Sequence, residues 1–470
     1  MTSDKFRRQL RQEAEKWWKD GLIDSSLYGQ LAERYRFDGL EAEARSRFTT
    51  ILIGLGGILL GLGAITFVAA NWSVWSRDVK LVLLLGLFLG VNITGFSLWR
   101  SNDRGGLHKL GAALLLLGGL VLGADLALVS QMFHQSGPIY QLLLAWSLGV
   151  WLMAMSLQMP ALAILSSILF GCGYAPAIVD AVSASTLDIW QFAGLHVPLI
   201  TLVLFVPLAY ISRSNITFFL VGVLLTASIV GNVATLNLWA IECAFVLPPA
   251  LLWAYGTQSP QRFIVSRFQA IARSLAVIVM AGWFYVMSFN FWNDFELNGS
   301  EFYFKWGYHV AIDLLVIGGL TLWLWLKLRD RLHQFQFFQA RSLNTGIVAL
   351  MLLATGITPY IHLHVTPLPV LAPLIFNILL FFLAIAAIRD SLALGSRRTF
   401  WGGMILLVLG IVTRMLEYDT GLLMKALVFA GCGLGVIAAG LWFERNIHLD
   451  KTKARPLDRF NPQPPQEEQP

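Results

Sequence analysis

Apolar runs long enough to cross a membrane follow one another from Thr49 to Phe443, and they leave this chain few ways to fold. Each holds about 18 to 24 residues, what a helix needs to span roughly 30 Å of hydrocarbon, and about fourteen can be drawn. Their bounds are 49–70, 79–99, 107–129, 139–157, 160–179, 192–211, 215–235, 237–255, 268–289, 306–327, 342–361, 368–388, 399–416 and 420–443. The expected fold is all-α, a polytopic bundle of transmembrane helices. A barrel is excluded, because the runs do not alternate polar and apolar residues. Of the 470 residues, 56% are hydrophobic and 13% charged, and the mean hydropathy of +0.65 lies far outside the range of soluble domains.

Lys and Arg occupy every second gap between these runs. Arg100, Arg104 and Lys109, then Arg213, then Arg262 and Arg267, then Lys327, Arg329 and Arg331, then Arg389, Arg397 and Arg398 mark one face. Basic loops stay in the cytoplasm, so this face is expected to be cytoplasmic, with Arg77, Lys80 and Lys305 as exceptions. An even number of spans then puts both termini inside. No cleavable signal peptide is expected, since the chain opens on a long charged stretch.

The net charge of +6 does not point to nucleic acid, because the basic residues are spread through short loops beside apolar runs. Cys172, Cys243 and Cys432 fall inside those runs without CxxC spacing, and read as small packing residues. No cofactor or metal is expected.

Three regions follow: a cytoplasmic preface at 1–48, the membrane domain at 49–443, and a basic, partly disordered tail at 444–470. In the preface, Leu10, Ala14, Trp17 and Trp18 have helical spacing, Gly21 stops that helix, and Asp24 caps a second with Leu27, Leu31 and Tyr35 in a stripe. Such short helices must bury their stripes against each other, the membrane domain or another chain. A homo-oligomer or protein partner through 1–48 is the sharper reading, and docking on the membrane domain the plainer one.

Ionisable side chains within spans are costly and face a partner or water. Setting aside Lys80, Lys109 and Arg273, which lie toward the ends of their runs, these are Asp125, Glu242, Asp313, Arg414 and Lys425, all in the outer halves of their runs under the topology above. Gln131 lies six residues after Asp125, roughly 9 Å further along a helix, and His134 follows in the external gap. Together these seven outline a substrate or ion pathway opening outward. Structural ion pairs are the competing reading, and Arg414 and Lys425 can also snorkel to the interface. His362 and His364 extend the rim in outline, but an HxH pair alone is weak evidence for metal. The glycine-rich GLGGILLGLG has no preceding strand, so it reads as helix packing through Gly57 and Gly61 and not as a dinucleotide loop. Pro207, Pro248 with Pro249, and Thr358 with Pro359 either break or kink their helices.

The runs WWKDGLIDSSLYGQLAERY, AANW and SQMFHQSG, and the later TRMLEYDTGLLMKALVFAGCGL, resemble a bacterial family of predicted membrane proteins, domain of unknown function 2157. The resemblance covers both ends and the first four runs. It implies a multi-pass bacterial inner-membrane protein and carries no activity. The leading expectation is a proton- or cation-coupled transporter or flippase. A non-catalytic scaffold or sensor, or an enzyme acting on a lipid-linked substrate, are the alternatives; short external loops and the absence of paired-carboxylate or HExxH motifs weigh against the enzyme.

Overall fold

The computed structural model describes residues 4–35, 37, 55, 59, 66, 70, 74–101, 106–134, 137–235, 241–258, 263–292, 306–332, 345–394, 397–417 and 421–453. Apart from Leu55, Leu59, Thr66 and Ala70, the expected first span at 49–70, with Gly57 and Gly61, lies outside them, as do Asn71 and Trp72, the gap at 293–305 and the tail beyond Lys453. Among the described residues every regular element is helical. The chain forms two compact units, Met1–Ser136 and Gly137–Pro470.

In the first unit, α1 (Asp4–Lys19) and α2 (Ser25–Tyr35) form a hairpin around Ala14 and Phe37, with Leu10, Ile23, Tyr28 and Leu31 packed alongside. Gly21 turns the chain at φ +72, a left-handed conformation that costs glycine nothing. Asp24 Oδ1 accepts from the Leu27 amide at 2.9 Å and Oδ2 from the Ser26 hydroxyl at 3.0 Å. The backbone hydrogen bond, then the hydroxyl, holds this carboxyl below its ordinary range. A depressed folded pKa means the cap's contribution is present above the ordinary carboxylate pKa and is lost as pH falls through the lowered value. The protection of the Leu27 amide, its exchange relative to the unfolded chain at the same pH, is accordingly expected to fall on acidification in the native chain, whereas Asp24→Asn should lack that pH step.

The same unit holds α3 (Arg77–Arg100) and α4 (Gly106–Met132), two apolar helices packed together. Ser76 caps α3 through the Val79 amide. Glycines set how close the pair lies: Gly95 faces Leu115, Gly118 faces Asn92, and Gly111 faces the Trp99 backbone.

The second unit runs from α5 (Ile139–Leu157) and α6 (Pro160–Ser183) through α7 (Ile189–Leu195), α8 (Val197–Ile211) and α9 (Asn215–Thr235). It continues with α10 (Ile241–Thr257), α11 (Phe263–Met287), α12 (Gly307–Leu332), α13 (Thr345–His364), α14 (Leu371–Leu394), α15 (Arg397–Glu417) and α16 (Leu422–Lys453). The most enclosed spans are α6 and α9, each with 56% of its apolar window buried, so they form the centre; the window of α16 is 0% buried. Leu315, Leu350 and Leu434 and many like them face outward, as lipid contact requires.

Eleven described helices are long and apolar enough to cross a membrane, and the pair α7 and α8, bent by 78°, makes up to twelve. At 17 residues α10 is shorter. Three expectations change. The run read as one span at 192–211 is broken at His196. The final helix continues past Phe443 to Lys453, into what reads as tail. The helices run on through Pro248, Pro249 and Pro359.

The break has a local cause. Pro198, in the first turn of α8, has no N–H to return to the Gly194 carbonyl and its ring crowds the preceding turn. The next carbonyl, Leu195 O, accepts instead from the Asn232 amide at 2.6 Å. Within α8, Pro207 has a milder effect: a π turn at Thr201–Phe205 precedes it, and Trp151 Nε1 donates to the Leu204 carbonyl at 3.1 Å.

Candidate functional site

The break positions a connected set of ionisable groups in the second unit. His196 is at once the C-cap of α7 and the N-cap of α8. Its Nδ1 lies 2.6 Å from Asp313 Oδ1, and its Nε2 lies 3.0 Å from His309 Nδ1. His309 and Asp313 are four residues apart on α12 and so share a helix face. His196 enters between them from a different element. With Asp313 ionised, His196 Nδ1–H donates to it, and the proton between the rings rests on either nitrogen. Moving one proton in each link carries charge from His309 to Asp313 without displacing a heavy atom.

The surroundings favour that exchange. Asp313 is 1% exposed and its Oδ2 is buried without a hydrogen-bond partner. Phe192 packs on both rings, 4.5 Å from His196 and 5.4 Å from His309, while Tyr308 lies 4.0 Å from His309. A polar chain supports the hinge from behind: Tyr174 donates to Asn232 Oδ1 at 2.8 Å, and Asn232 holds Leu195 O. Nearby, Asp188 caps α7 in a reciprocal box with Gln191, and Gln191 and Tyr140 both donate to Asp180.

The other expected site residues fall into separate local arrangements. Glu242, in the first turn of α10, bonds His364 at 3.1 Å. Arg414 is buried: Nη1 donates to Ser288 O at 2.5 Å and pairs with Glu417, and the guanidinium lies 3.7 Å from the Phe289 ring centroid. Glu417 also accepts from the Asn290 amide at 2.6 Å. Lys425 is half-buried near the start of α16, with no side-chain partner among the described residues. In the first unit, Asp125 is buried with Oδ1 unpartnered, whereas Gln131 and His134 are exposed. His362 accepts from the Leu368 amide at 2.8 Å and is packed against Trp292. Cys172 and Cys243 are exposed and Cys432 is half-buried, all as free thiols, so two of the three face outward and are not packed inside.

Sequence reasoning missed His196, His309, Asn232 and Tyr174. One signal was present: the four-residue spacing of His309 and Asp313. Among the described residues no group of three or more His, Cys, Asp or Glu side chains is arranged to hold a metal.

Eleven or more membrane-length apolar helices and a buried charged cluster at a broken span define a multi-pass helical membrane protein. Residues 15–163 match the family described as Predicted membrane protein (DUF2157), so the resemblance read from the N-terminal motifs holds over that stretch. The C-terminal motif lies beyond it. Neither a curated protein nor a solved structure matches the chain.

Proposed function

We propose that this protein is a proton- or cation-coupled transporter or flippase of the bacterial cytoplasmic membrane, with both termini inside, and that Asp313, His196 and His309 are its proton-exchange groups. The observation that carries the reading is the hydrogen-bonded chain of these three side chains at the hinge of a broken span. A buried carboxylate with one oxygen unsatisfied is expensive as a structural element alone, and intramembrane acids and histidines are the usual parts of proton relays. Broken helices frequently line transport sites because their freed backbone groups face a cavity or a partner. Glu242 and Arg414, in the same unit, are then secondary groups that set field and structure around the pathway.

The same geometry favours one other reading. A carboxylate orienting a histidine is also the arrangement of a general base, and here the terminal nitrogen is that of His309. An enzyme acting on a lipid-linked substrate would use it so.

The test is purified protein in vesicles loaded with a pH-sensitive dye under an imposed pH gradient, with a parallel assay of fluorescent phosphatidylethanolamine crossing the bilayer. The wild type is expected to dissipate the gradient or move the lipid, and Asp313→Asn to slow it by about tenfold or more. A native protein inert in both assays, or an Asp313→Asn variant as fast as wild type, contradicts the proposal.

A further inference from the structure

The hairpin of α1 and α2 buries one side and leaves the other end bare. Ala14 and Phe37 are enclosed, yet around the Gly21 turn Trp17 is 38%, Trp18 48%, Leu27 44% and Leu22 73% exposed. Trp18 is stacked on Tyr28 at 5.3 Å, so it is held with its outer face presented. Four large apolar groups at one tip, on a hairpin otherwise bearing Arg11, Glu13, Glu15, Lys16 and Lys19, are not the residue of poor packing. Tryptophan beside lysine is the chemistry of the membrane interface: the indole sits at the level of the headgroups, and lysine reaches phosphate through its long stem.

Chain length holds the hairpin there. Eleven residues lie between Phe37 and Thr49, where the first apolar run begins, at most about 40 Å of fully extended chain. The Phe37 end is therefore tethered to the bilayer the chain crosses, and the tip lies one length of α2 beyond it, 11 residues or roughly 16 Å. We propose that the tip formed by Trp17, Trp18, Leu22 and Leu27 inserts into the headgroup region of the bilayer that the chain itself crosses, fixing the hairpin on the lipid surface. The occupant of this face is phospholipid, and the hairpin acts as an interfacial anchor.

The test uses the full-length protein with Cys172, Cys243 and Cys432 replaced by Ser, and Ser25→Cys labelled from outside with a membrane-impermeant, environment-sensitive dye. The protein is reconstituted in vesicles of phosphatidylcholine and phosphatidylglycerol. Quenching by nitroxide carried on the lipid chains near the headgroup is expected, with little quenching by aqueous iodide. Leu22→Glu and Trp17→Glu, both at exposed positions that leave the Ala14 and Phe37 core untouched, are each expected to reverse that preference severalfold. A label quenched by iodide in the unmodified tip overturns the proposal. So does protection that disappears when the protein is diluted with lipid, which would assign the face to a second copy.

Discussion

Replacing Arg414 with Ala is expected to destabilise the second unit by about 3 to 5 kcal/mol, the usual cost of breaking a buried ion pair from one side. The guanidinium ties two elements together at one point, α15 and the end of α11. It donates to Ser288 O at the end of α11, pairs with Glu417 on α15, and covers the Phe289 ring, while Glu417 holds the Asn290 amide. Without it, Ser288 O keeps only the Asn377 amide at 3.1 Å, and Glu417 has lost its counter-charge. Arg414→Lys retains the charge but not the flat guanidinium stacked over the Phe289 ring, so it should recover only part of the loss. Lys425→Ala is the control: with no partner among the described residues it should change stability by no more than about 0.5 kcal/mol. Equilibrium unfolding in mixed detergent measures both, and equal values would contradict the assignment of Arg414 as a structural tie.

Gly111→Val is expected to have a comparable effect in the first unit. A methyl carbon added at Gly111 would lie 2.7 Å from the Gly95 carbonyl oxygen and closer still to the Trp99 amide nitrogen. Both are backbone atoms, which cannot swing aside as a flexible side chain does, so α3 and α4 must separate. Their contact along Gly95 and Gly118 goes with them, as does the 2.6 Å bond between His108 Nδ1 and Trp99 O. Overpacking typically costs about 1 to 3 kcal/mol, and this backbone contact should place the variant at the top of that range. Gly86→Val, on α3 where nothing lies within 4 Å, should be tolerated. Thermal unfolding of the two variants separates close packing from a simple loss of glycine.

Much of this fold was legible because one physical demand, satisfying the backbone in hydrocarbon, writes itself into every span as a long apolar run. The same demand made Asp313, Glu242 and Arg414 conspicuous as charges in the wrong solvent. Their partners were not legible. His196 lies 117 residues from Asp313 and His364 122 from Glu242, and no local pattern ties residues so far apart. The charge rule does place the gap holding Ala184 and the start of the run at Trp306 on one face, and Trp306 Nε1 donates to Ala184 O at 3.3 Å. The hinge was missed for a different reason. Attention to Pro207, Pro248 and Pro359 passed over Pro198, where Asn232 supplies the bond that lets the helix stay broken. A proline kinks or breaks according to whether its neighbours can take up the freed carbonyl, which is a tertiary fact.

The central claim is that Asp313, His196 and His309 act on a proton as one unit. Groups that act together are non-additive, since removing either link stops the same transfer. Proton flux in dye-loaded vesicles, compared for Asp313→Asn, His196→Gln and the double variant, measures this directly. The relay predicts that both single variants lose nearly all flux and that the double variant is no slower than either. Independent, multiplying losses, or wild-type flux in His196→Gln, would contradict it.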